Sequence, residues 1–223
     1  DKALKNSQLS LEDMEYIVAT GYGRVVVPFA QSNVTEITCH ARGSHWLFPD
    51  TRTILDMGGQ DCKAIRCDES GRVTDFVMND KCAAGTGRHL EWVAASLDLS
   101  LDEIGARSLK AKEGAVDISS YCTVFAQRDV LLLLRQGRHR NDILAGACEA
   151  LVRRIFSLLQ RIKVVPALSV SGDIAKNVGV VSRLEDLFGS KVHIAFDPQI
   201  VGALGAALFA RDKLLKQRAT VTA

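Results

Sequence analysis

The chain has 223 residues, 47% of them hydrophobic, enough to bury a sizeable core in one ordinary domain or two small lobes. Its 28 basic side chains nearly balance 26 acidic ones, and a formal net charge of +2 leaves no electrostatic case for nucleic acid or an anionic membrane. No apolar stretch approaches the roughly 18 residues that cross a bilayer, and Asp1-Lys2-Ala3-Leu4-Lys5 lacks a signal peptide's apolar centre, so a cytoplasmic protein is expected.

In chain order, Lys2–Glu12 reads as a polar helix, and Tyr16–Thr20 as a short β-rich run ending at the turn Gly21-Tyr22-Gly23. Apolar and small residues recur at helical spacing from Asn33 to Arg42, with Thr35 and Glu36 placed to begin that helix. Thr53–Met57 is a strand running into Gly58-Gly59. Lys63–Cys67 and Val73–Met78 flank the turn residues Asp68-Glu69-Ser70-Gly71 and predict a hairpin. Helices are expected over Gly87–Leu97, Thr123–Leu134 and Ile143–Lys163, the last with an apolar stripe through Leu144, Ala147, Cys148, Leu151, Ile155, Leu158 and Leu159. The basic cluster Arg135–Arg140 reads as a solvated loop. A strand over Val164–Val170, a helix over Lys176–Leu187, a strand over Lys191–Ala195 and a helix over Val201–Leu215 complete a mixed α/β order.

Five segments carry the chemistry. In Leu55-Asp56-Met57-Gly58-Gly59-Gln60-Asp61, a carboxylate at a strand end precedes two glycines, which let backbone N–H groups approach anionic oxygens. Asp56 suits Mg²⁺ binding or orientation of an attacking water, and Gln60 can hydrogen-bond either; a tight turn with a capping Asp is the alternative. Cys82 stands among small residues in Asn79–Arg88, ahead of a helix whose dipole favours a thiolate. Cys122, in Ser119–Ala126, sits likewise at a helix mouth. Two thiols per chain cannot complete the four-thiolate set of a [4Fe–4S] cluster, whereas two chains can; two inert buried cysteines are the alternative. Ser171-Gly172-Asp173-Ile174-Ala175-Lys176 is a strand–turn–helix link suited to a nucleotide's adenosine and α-phosphate, or to no ligand at all. Asp197–Ala207 is rich in small residues, as close helix packing near a hinge requires.

In this order, the five segments resemble the ATPase family of benzoyl-CoA reductase subunits and 2-hydroxyacyl-CoA dehydratase activators. The likeness runs from about Thr20 to Leu208 and departs from the family's pattern at Met57 (for Ile) and Asp173 (for Gly). Thr35–Gly43 also resembles the family; a metal role for Cys39 and His40 is disfavoured because adjacent helical residues point apart. Gly21–Arg24 and Cys62–Cys67 lean toward the reductase side, with Cys62, Cys67 and Cys148 structural.

The resemblance implies an α/β, actin-like (ribonuclease H-like) ATPase fold of two lobes, residues 1–51 with 200–223 and residues 52–199. It implies catalytic roles for Asp56 and Gln60, nucleotide contacts from Gly58, Gly59, Gln60, Gly172, Asp173, Lys176 and Gln199, and cluster ligation by Cys82 and Cys122. ATP/ADP, Mg²⁺ and a [4Fe–4S] cluster shared with a second copy or related subunit would be the cofactors. A reductase or dehydratase component and a ferredoxin or flavodoxin donor would be the partners. Nothing similar to the family's first phosphate loop, Asp-Ile-Gly-Ser-Thr-Thr-x-Lys, precedes Tyr16, and no Met opens the chain, so a trimmed chain is expected. Two rival readings are a sugar- or acetate-kinase relative, which has no use for Cys82 and Cys122, and a non-catalytic partner subunit of the same fold.

Overall fold

The computed structural model describes residues 2–79 and 86–221. A short helix, α1 (Lys2–Asn6), precedes two parallel two-residue strands, β1 (Val18–Ala19) and β2 (Ser32–Asn33), with a 3-10 turn at Tyr22–Val25 between them. The helix α2 (Glu36–Leu47) leads into the strands β3 (Thr53–Met57), β4 (Cys62–Cys67) and β5 (Val73–Met78). Four helices follow: α3 (Gly87–Ser96), α4 (Leu101–Ser108), α5 (Thr123–Arg135) and α6 (Arg140–Gln160). Then come β6 (Leu168–Ser171), α7 (Val178–Phe188), β7 (His193–Ile194) and α8 (Val201–Val221).

Strands β3 to β7 form one sheet in the order β5-β4-β3-β6-β7. Tight turns reverse the chain on both sides of β4, so it alone runs against the other four strands. At the second turn Asp68 Oδ1 accepts from the amides of Ser70 (2.8 Å) and Arg72 (2.9 Å). β6 lies parallel to β3, which requires a crossover, here made by α3 to α6.

The alternation along β3 divides two cores. Leu55 and Met57 join the large core built on α6, whose predicted stripe from Leu144 to Leu159 is buried throughout. Ile54 packs with Ile65, Cys67 and Ala41 on the opposite face, under α2. Asp56 has the parity of Ile54 and therefore lies on the α2 face. Its directly paired neighbours in the ladder are Lys63 on β4 and Ser171 on β6. Three polar residues thus form one cross-strand row at the end of this sheet face.

The differences from the sequence reading are local. The Lys2–Glu12 helix ends at Asn6, because Gln8 takes a left-handed φ of 56° and Ser10 bonds Asp13 in a turn of its own. The Val164–Val170 strand shortens to Leu168–Ser171, since Pro166 has no N–H for a ladder. The helix expected from Lys176 starts at Val178, where Asn177 Oδ1 caps the amides of Gly179 (3.0 Å) and Val180 (3.1 Å). His139 caps α6 one turn ahead of the expected Ile143. α4 was not anticipated at all, although Ser100 and Glu103 form a capping box at its start.

One buried group gives a pH-dependent expectation. His89, on α3, is 1% exposed with neither ring nitrogen hydrogen-bonded, and burial pushes its pKa down to about 4 from 6.5. The unfolded chain therefore takes up this proton first as pH falls below 6.5, and stability is lost from there until the folded value near 4 is passed. Between pH 7 and pH 5, wild type should lose about 2 kcal/mol more unfolding free energy than His89→Phe, read from urea titrations.

Candidate active site

Two parallel neighbours, β3 and β6, end side by side, and each runs into a glycine turn. After β3 the loop Gly58–Asp61 closes on itself through Gly58 N–H donating to Asp61 O at 2.9 Å. The start of α3 is tied to this loop: the amides of Gly87 and Arg88 donate to the carbonyls of Gly58 and Gly59, each at 3.1 Å. A Cβ on Gly87 would stand 3.0 Å from Gly59 Cα, so the helix start sits flush on the loop.

After β6, Gly172 adopts φ 87° and packs against β3. A Cβ there would lie 2.4 Å from Met57 O and 2.8 Å from Asp56 Oδ1, so only glycine fits. The two turns predicted to handle phosphate and adenosine are therefore in contact. Between them and α3 and α4 opens a cleft of about 330 Å³, lined by Gly59, Asp173 and Lys176 together with Leu90, Gly105 and Ala106. The last two belong to α4, and their place in the cleft was missed along with that helix.

Of the predicted nucleotide contacts, Asp173, Lys176 and Gln199 form a group of their own. Lys176 Nζ donates to Gln199 Oε1 at 2.8 Å and lies 3.3 Å from Asp197 and 3.5 Å from Asp173. Gln60 is engaged by α3: with its amide oxygen toward Arg88, it accepts from that guanidinium at 3.1 and 3.2 Å.

Asp56 is buried and held from two sides, with His40 Nε2 3.5 Å from Oδ1 and Lys63 Nζ 3.6 Å from Oδ2. Lys63 also pairs with Asp61, and it lies 3.9 Å from Glu36 on α2. Burial alone pulls the Lys63 ammonium down, but Asp56, Asp61 and Glu36 together outweigh it and hold the pKa above its ordinary value. Tyr22 donates to Asp61, which raises the phenol's pKa, and Arg24 pairs with Glu36 at 3.3 Å. His40, Lys63 and Tyr22 had no assigned role in the sequence reading. The available signal was a lysine on the next predicted strand after Asp56, but the antiparallel pairing of β3 with β4 that sets the two opposite each other was not predicted. His40 is a satisfied helical residue, as expected, yet its partners are site residues. Cys39, next to it, is buried away with its thiol pushed up by burial.

Cys82 lies outside the described residues. Cys122 is the N-cap residue of α5, a free and half-buried thiol. The other described cysteines are all buried, and burial pushes up the thiols of Cys39, Cys62, Cys67 and Cys148 alike. Next to Cys122 the residues Tyr121, Val124 and Phe125 are exposed, as are Leu131 and Leu132 farther along α5, and of α5 only Ala126 and Val130 are buried. Cys122 does not line the cleft, but α5 packs against α3, the helix bonded to the Gly58–Asp61 loop. Among the described residues no helix is long and apolar enough to cross a membrane.

Comparison with known proteins places the chain in a family. The chain is 45% identical over 217 residues to the activator of lactoyl-CoA dehydratase from Anaerotignum propionicum, covering 97% of this chain and 83% of that protein. It is 41% identical over 219 residues to the (R)-2-hydroxyglutaryl-CoA dehydratase activating ATPase of Acidaminococcus fermentans, covering 96% and 82%. The solved structure of the activator of 2-hydroxyisocaproyl-CoA dehydratase from Clostridium difficile with bound ADPNP superposes with a TM-score of 0.93 at 39% identity, covering 98% of this chain and 81% of that one. The fold is thus the actin-like ATPase fold. Residues 1–210 match the BadF/BadG/BcrA/BcrD ATPase family, and the chain belongs to that family.

Proposed function

We propose that this ATPase couples ATP hydrolysis to the delivery of low-potential electrons to a 2-hydroxyacyl-CoA dehydratase component. The partner proposed is the dehydratase rather than the benzoyl-CoA reductase toward which the Gly21 and Cys62 segments lean, because the relatives above are dehydratase activators. The nucleotide lies in the cleft between the Gly172 turn and α4, with its phosphates at the Gly58–Asp61 loop. Asp56 holds Mg²⁺ or orients the attacking water, with Gln60 beside it. Asp173, Lys176 and Gln199 hold the nucleoside side. Residues 1–51 with 200–223 form one lobe and residues 52–199 the other, closing on the nucleotide.

The observation that carries the electron-transfer reading is the contrast among the described cysteines. Cys122 alone is half-buried at a helix mouth, and the apolar residues around it are uncovered. That suits a thiolate ligand at a contact between two copies of the chain, where Cys82 and Cys122 of each copy complete a [4Fe–4S] set. A cluster held there by Cys82 and Cys122 of the two copies would supply low-potential electrons, and a ferredoxin or flavodoxin would replenish them. The chain's own part is mechanical: α3 starts on the phosphate-handling loop and packs on α5, so a shift of that loop on hydrolysis moves the helices that present the thiols.

Anaerobic iron and acid-labile sulfide analysis of wild type, Cys82→Ala and Cys122→Ala tests this reading. Either substitution is expected to abolish the cluster and its visible absorbance. Iron content equal to wild type in both variants defeats the reading.

A further inference from the structure

We propose that His40 is a positioning residue for Asp56, fixing that carboxylate from across the boundary between α2 and the sheet. The inference rests on the ATPase site described above and adds to it a residue from a different element.

The ring is held at both ends. Nδ1 is 2.8 Å from Ser171 Oγ, and Nε2 is 3.5 Å from Asp56 Oδ1. Asp56 and Ser171 are register partners at the ends of β3 and β6, so one imidazole bridges two adjacent strand ends. Lys63, on the other side of the same row, takes Asp56 Oδ2. Each carboxylate oxygen of Asp56 therefore faces its own partner, and rotation about the carboxyl bond is opposed from both sides. Buried polar groups left without partners are costly, so this row needs what α2 brings to it.

The ring has no room to leave. A Cβ on Gly202 would stand 2.8 Å from His40 Nε2, so α8 backs the imidazole where any larger residue would displace it. The neighbouring crossing of α2 and α8 is closed by Gly43 and Gly205, which fixes where α2 holds the ring. His40 itself is 9% exposed and makes no contact that a nucleotide would replace in the lined cleft. Its effect on hydrolysis is thus exerted through Asp56, and it belongs to turnover more than to ATP binding.

The test compares steady-state ATP hydrolysis by the full-length protein in His40→Leu, His40→Gln and Asp56→Asn. His40→Leu is expected to lower kcat by about 10–100-fold while leaving KM for ATP within about threefold. His40→Gln, whose amide nitrogen reaches the place of Nε2, should recover most of the loss; a merely structural role gives no such recovery. If His40→Leu fails to fold, Ser171→Ala replaces it: a several-fold loss of kcat in wild type and no further loss in His40→Gln supports the proposal. Wild-type kcat in His40→Leu, or no recovery in His40→Gln, overturns the proposal while a dead Asp56→Asn keeps the site reading. Full turnover in Asp56→Asn sinks the site reading as well.

Discussion

Replacing Lys63 with Met is expected to lower the unfolding free energy by about 3–5 kcal/mol, and the melting temperature by about 10 °C. The ammonium is 3% exposed and faces three carboxylates: Asp61, Asp56 at 3.6 Å and Glu36 at 3.9 Å. Methionine fills a similar volume, so the loss measures charge rather than packing. What remains is negative charge crowded where water cannot screen it, with Arg24 the nearest compensation through its 3.3 Å contact to Glu36. Lys63→Met combined with Asp61→Asn should therefore be more stable than Lys63→Met alone, because the second change removes one of the carboxylates left unpaired. Since the folded pKa of Lys63 lies above 10.5, its contribution is fully present at and below that pH and is lost only as pH rises through the folded value. Equal denaturation midpoints for wild type and Lys63→Met at pH 7 would show that these charges do not share a low-dielectric space.

Gly205→Val should destabilise by about 3 kcal/mol, mostly through separation of α2 from α8. An added Cβ at Gly205 would stand 1.9 Å from the Cys39 carbonyl oxygen and 2.9 Å from Cys39 Cα, both backbone atoms that no rotamer change can move. The reverse contact is as tight, since a Cβ on Gly43 would meet Val201 O at 2.2 Å. A side chain forced into this crossing has to push whole helices apart, whereas most core substitutions are absorbed by side chains. Urea unfolding gives the stability loss. Because Cys39 precedes His40, residual ATPase activity in the folded fraction should fall with it. A midpoint within experimental error of wild type would show that the crossing is looser than its backbone distances indicate.

Much of the fold was legible because its signals are local. The apolar run at Thr53–Met57, the turn residues Asp68–Gly71 and the stripe along α6 each specify their element through periodicity or turn chemistry, and each stands where expected. Gly58, Gly59 and Gly172 were legible for the same reason, since a close backbone approach leaves a glycine in the sequence. The polar row was not. Lys63 on a buried strand looks like the exposed half of an alternating pattern, and only the pairing with Asp56 and the packing of α2 reveal it as buried. His40 was opaque in the same way: its partner Ser171 is 131 residues distant, and nothing local announces the contact. α4 escaped because eight residues with three buried positions give little helical periodicity, although its capping box was in plain view.

The bonds from α3 to the Gly58–Asp61 loop also fix which way that loop is polarised. In a trans peptide the carbonyl and the following N–H point in opposite directions. The carbonyls of Gly58 and Gly59 are turned toward α3 by the amides of Gly87 and Arg88. The N–H groups of Gly59 and Gln60 are therefore turned to the far side of the loop, as a pair of parallel donors oriented before any anion arrives. Reorienting either peptide plane means releasing the first turn of α3, so the same two bonds that seat the helix also keep an electropositive edge in place.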